Sequence, residues 1–88
     1  MKYSLYRIYP NDNMGDSGMM SEAIDPITFK VIGYRPVVGC CMRVGSFMAR
    51  TYQYQDWWMT TPIIKIVEED ENKVVFSTQN STYEWKQF

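Results

Sequence analysis

The chain contains no histidine, only two cysteines, four prolines and five glycines. Without histidine it lacks the commonest general base and the commonest zinc ligand together. A cysteine nucleophile needs an activating base, so Cys40-Cys41 reads as two buried small hydrophobes rather than as reactive thiols. Adjacent cysteines bridge each other poorly because the ring is strained, and two cysteines make no disulfide framework. No apolar run approaches the length of about 18 residues that a membrane-crossing helix needs. Residues 1–10 alternate polar and aromatic side chains and lack the apolar centre of a secretory signal. Free thiols without a leader point to the cytoplasm. Charge is scarce as well: the net value is −1, which removes bulk electrostatics as an argument for nucleic acid or membrane. There is no Walker loop, dinucleotide fingerprint or nucleophile elbow. The reading is therefore of a non-enzymatic protein, with no catalytic residue, no metal ligand and no cofactor assigned.

What remains is rich in apolar and aromatic residues. Of 88 residues, 45% are apolar, 16% aromatic and 22% charged, which is too apolar for a disordered chain. The length suits one small domain, read as an N-terminal strand and loop region (1–36) followed by a barrel-like centre (37–88).

Strand patterns dominate. Residues 3–9 read as a strand with aromatic ends. Residues 27–32 are β-branched and alternating, with Ile27, Phe29 and Val31 on one face. Residues 38–44 form a further strand left at Gly45. The stretch 63–67 is almost wholly apolar, as a strand covered on both sides would be. Residues 74–78 and 82–86 follow, with Tyr83 and Trp85 on one face and Glu84 and Lys86 opposite. Glu69-Asp70-Glu71-Asn72-Lys73 fits a hairpin turn, as does Gln79-Asn80-Ser81. Residues 10–26 read as a long loop, beyond the ordinary length and unusual in holding Met14, Met19 and Met20. Helix signals are thin: one turn at residues 21–24, stopped by Asp25-Pro26, and a short helix within 46–54. The expected class is all-β with minor helix, a small antiparallel barrel.

Within residues 37–88 the order is a strand ending in Gly45, an aromatic-rich connection, then three strands joined by two tight turns. That order resembles an SH3-like small barrel, with residues 45–58 in the place of its long first loop. The ending Val75-Phe76-Ser77-Thr78-Gln79-Asn80-Ser81-Thr82-Tyr83 is similar to the C-termini of small bacterial and phage proteins. The likeness brings no activity with it.

Two constellations stand out. Tyr52, Tyr54, Trp57 and Trp58 cluster, with Tyr34 and Phe47 nearby; tryptophan, tyrosine and arginine are enriched at binding hot spots. Large side chains also fill small β cores. Adjacent tryptophans on a strand face opposite ways, so one of Trp57 and Trp58 is expected in the core and the other at a site. The charge is unevenly spread: residues 1–25 carry −2, residues 26–55 carry +4 through Lys30, Arg35, Arg43 and Arg50, and residues 56–88 carry −3. Arginine among aromatics suits a stacked, phosphate-bearing ligand. The blander reading, pairing of these arginines with the acidic stretch 68–71 across the sheet, is the favoured one, because alternating surface charge is ordinary.

The expected function is binding of a host protein or a small phosphorylated ligand, in a phage or mobile-element setting. The face would comprise Tyr34, Arg43, Phe47, Arg50, Tyr52, Tyr54, Trp57 and Trp58. A homo-oligomer is expected, because small β domains pair through their edges. Seven methionines suit an adaptable surface. The alternative is a barrel binding single-stranded nucleic acid, against which the lack of basic excess stands.

Overall fold

The computed structural model describes residues 2–11, 14–46 and 56–88, with the backbone alone for Ser46, Asp56 and Trp57. The described residues form nine strands and no helix. They are β1 (Tyr3–Tyr9), β2 (Gly15–Gly18), β3 (Met20–Ile24), β4 (Val31–Gly33), β5 (Cys41–Ser46), β6 (Asp56–Met59), β7 (Lys65–Glu69), β8 (Lys73–Ser77) and β9 (Thr82–Gln87). All pairs are antiparallel. They make a five-stranded sheet in the order β2-β1-β9-β8-β7 and a four-stranded sheet in the order β4-β3-β5-β6. The all-β class expected from the turn-separated apolar runs is what the structure shows.

Alternation decides which side chains enter the space between the sheets. On β9, Tyr83 and Trp85 are buried while Glu84 and Lys86 lie outward, half-buried. Leu5, Val74 and Phe76 join them from β1 and β8, and Ala23, Met42 and Val44 from β3 and β5. Trp85, Phe76, Leu5 and Met42 are fully buried, each stabilising the fold by about 1.5–3 kcal/mol of hydrophobic transfer. Phe76 and Tyr83 stack with centroids 5.5 Å apart. Residues 60–64 carry the chain from one sheet to the other. Thr60 and Ile63 bond backbone to backbone with Met42 and Cys40, and Ile64 bonds with Ser77.

The two hairpin turns fall where expected. Asp70 Oδ1 accepts from the N–H groups of Asn72 and Lys73 at 2.9 Å and closes the β7–β8 turn. Thr78 N–H bonds the Ser81 carbonyl across the β8–β9 turn.

Several expectations are corrected. Residues 10–26 are not a long loop, because they contain β2 and β3. Gly15 explains part of this: a Cβ there would sit 2.2 Å from the Leu5 carbonyl oxygen, so only glycine lets β2 approach β1 so closely. Residues 21–24 are strand, not a helical turn, because Ser21 and Ala23 point into the core and pair with β5. Residues 27–32 are not one strand. The Asp25 carboxylate accepts from the N–H of Ile27 at 2.8 Å and of Thr28 at 3.2 Å, which captures the chain in a turn. Phe29 lies at φ 61°, and the strand begins only at Val31. Residues 38–44 likewise start late, since Gly39 turns at φ 94° and β5 opens at Cys41. The stretch 63–67 is not covered on both sides: Ile63 is buried, but Ile64 and Val67 are exposed because β7 is an edge strand. Of the short helix expected within 46–54, Ser46 ends β5 instead, and residues 47–54 lie outside the described residues.

Candidate functional site

Tyr34 belongs to a latch between the sheets. Trp85 Nε1 donates to Ser21 Oγ at 2.9 Å, and Ser21 Oγ donates to the Tyr34 carbonyl at 2.7 Å. The hydroxyl thus satisfies a buried indole and fixes the chain just beyond β4. The Tyr34 ring lies 6.3 Å from Trp85 and 6.1 Å from Tyr3. Arg35 completes the arrangement. Its guanidinium sits 5.3 Å from the Trp85 ring centroid. It donates to the carbonyls of Glu71 and Asp70, each at 2.7 Å, and to Glu69 Oε2 at 3.3 Å. One middle arginine therefore pairs with the acidic hairpin, as one sequence reading has it.

Arg43 makes a different pairing. Across the β3–β5 ladder it donates to Glu22 Oε1 from Nε at 2.9 Å and from a terminal nitrogen. Trp58 packs against the core opposite Val44. Arg7 lies 5.9 Å from its ring centroid, and its Nε1 has no hydrogen-bond partner among the described residues. Trp57 is placed by register opposite Gly45. Phe47, Arg50, Tyr52 and Tyr54 lie outside the described residues. Of the sequence-picked residues, Arg43 and Trp58 share one sheet, whereas Tyr34 belongs to the latch.

The thiols of Cys40 and Cys41 are free and buried. Burial raises both pKa values, helped at Cys40 by the Asp25 charge and at Cys41 by Cys40. Neither is an activated nucleophile.

The surface feature missed in the sequence is the β3–β4 hairpin and the segment after it. Ile27 is 86% exposed and Phe29 74%. Val31, Ile32, Tyr34, Val37 and Val38 continue the exposure. Seven large apolar side chains thus face solvent within twelve consecutive residues, where soluble surfaces ordinarily scatter them singly. Both ends of this segment are held. The Asp25 turn closes one, with Asp25 N–H bonding Lys30 O and Phe29 N–H bonding Asp25 O. The latch at Tyr34 and Arg35 closes the other. Phe29 occupies the left-handed region, which costs a bulky residue about 1 kcal/mol. An exposed aromatic held in a costly conformation is spatially defined rather than adrift.

No family model, no curated protein and no solved structure matches the chain. No helix among the described residues is long and apolar enough to cross a membrane.

Proposed function

We propose that this chain is a small non-enzymatic binding protein whose working surface is the apolar segment of residues 27–38, the end of the β3–β4 hairpin and the stretch after it, and that its partner is a protein. The observation that carries this reading is the run of exposed apolar side chains on a segment pinned at both ends. Pinning lowers the ordering entropy that binding would otherwise cost. Of the ligands that the sequence leaves open, a protein is favoured over a phosphorylated molecule or single-stranded nucleic acid. Arg35 is already engaged by carbonyls and a carboxylate, and Arg43 by Glu22. The apolar side chains of this segment offer nothing to a phosphate, and Lys30 is its one further cation.

Ile32 also bears on how the partner is held. The register between β3 and β4 shifts there, so Ile32 is an extra residue with no counterpart on β3. A bulge of this kind twists an edge away from simple strand addition. Side-chain packing is thus the favoured mode of contact.

The test is photo-cross-linking in cells with a benzophenone amino acid in place of Phe29, against a control at Lys86 on the opposite sheet. Position 29 is expected to give adducts heavier than the chain and position 86 none. Absence of adducts from position 29 would overturn the reading.

A further inference from the structure

We infer that the occupant of this apolar segment is a second copy of the same chain, packed against it about a two-fold axis. The inference rests on the binding reading above and names its partner.

Three observations carry it. The first is area. The seven exposed apolar side chains between residues 27 and 38 present on the order of 800 Å², about what one partner of a standard interface covers. The segment therefore carries apolar area of the size that one side of such an interface needs. The second is charge. An isologous contact brings each group near its own copy, so a charged strip repels itself. Here Lys30 is the single formal charge on the strip apart from Arg35, and Arg35 is held back by Glu69 and two carbonyls. The whole chain carries only −1, so two copies approach with almost no net repulsion. The third is the contrast between edges. β7 carries Lys65, Glu68 and Glu69, charges of the kind that keep sheet edges from associating; both β7 and β4 pair across a bulge, so charge is what separates them. β2 carries Asp16, and β6 carries Asp56. β4, Val-Ile-Gly, carries no charge at all. The molecule guards its other edges with charge and leaves this one apolar.

Phe29 is the anchor. The residue is 74% exposed on a turn that Asp25 fixes, the arrangement of an aromatic knob entering a partner.

The experiment is light scattering on the purified chain from about 1 to about 500 µM, the span over which transient dimers form. The mass is expected to rise from 10.4 kDa to twice that value. Phe29→Asn keeps the left-handed backbone, which asparagine adopts readily, and removes the ring. It should weaken the dimer about 30-fold, the effect of losing one hot-spot aromatic. Ile27→Lys should act in the same direction, while Val67→Lys on β7 should leave the dimer intact. Circular dichroism confirms that each variant is folded. A chain that stays at the monomer mass throughout overturns the inference, as does a dimer that Val67→Lys disrupts and Phe29→Asn does not. A monomer that still cross-links from position 29 to a different protein removes the second copy and leaves the binding reading standing.

Discussion

The outward face of β7, β8 and β9 and the β3–β4 hairpin are built from similar strand-forming residues, yet they meet water in opposite ways. On the first, charges alternate and pair: Lys73 Nζ lies 2.9 Å from Glu68 Oε1, and Lys86 Nζ lies 3.4 Å from Glu84 Oε1. On the second, Val31 and Ile32 stand half-exposed with no charge between them. The charged face contributes little energy, since exposed ion pairs are individually weak; its effect is solubility. The apolar hairpin contributes little to the core as well. Its residues become useful only when something covers them.

Substitutions separate the two regions by size of effect. Trp85→Ala removes the ring on which Tyr3, Tyr34 and Arg35 converge, and should destabilise the chain by about 3–5 kcal/mol, read by urea titration. Both regions lose definition together in that variant, because the latch serves both. Asp25→Ala acts chiefly on the hairpin turn, whose N–H groups its carboxylate accepts from. It should cost about 1 kcal/mol, the value of a lost side-chain cap, and loosen the exposed segment in amide exchange. Phe29→Gly has the opposite sign. Relief of the left-handed strain should stabilise the isolated chain by up to about 1 kcal/mol while association weakens. A gain in stability with a loss of binding is what a surface held for a partner shows, and a loss of both would make Phe29 a structural residue instead. The thiols give the smallest effect. Their folded pKa values are raised by burial, so the folded state holds these protons where the unfolded chain releases them. Stability from this source is complete below the unfolded thiol value of about 8.5 and declines as pH rises through the folded values. The Cys40→Ala, Cys41→Ala double variant should lack that alkaline decline in thermal melts.

Much of the fold was legible where one face of a strand is buried and the other wet. Thr82-Tyr83-Glu84-Trp85-Lys86 shows the alternation because the sheet imposes it, and the turn at residues 69–73 shows its Asp and Asn because the turn needs them. β2 was not legible, since Gly-Asp-Ser-Gly has no strand preference and pairs only because β1 accepts it. The stretch 27–32 misled for a related reason. Its alternating β-branched residues look the same whether a sheet covers them or solvent does, and the capture by Asp25 depends on geometry. Of the site, the sequence marks Tyr34 by its ring, and Tyr34 is one of the seven exposed residues of the segment. The apolar neighbours were passed over because Ile, Phe and Val ordinarily signify core.

The centre of the five-stranded sheet pairs the first strand with the last, Leu5 opposite Trp85, and Phe88 N–H bonds the Lys2 carbonyl. Contacts of such sequence separation delay folding, because the intervening chain loses its freedom before the contacts reward it. On a ribosome, Leu5 therefore waits for its neighbour until β9 has left the exit tunnel. Until then the segment of residues 27–38 is accompanied by a core with no Trp85 to close it.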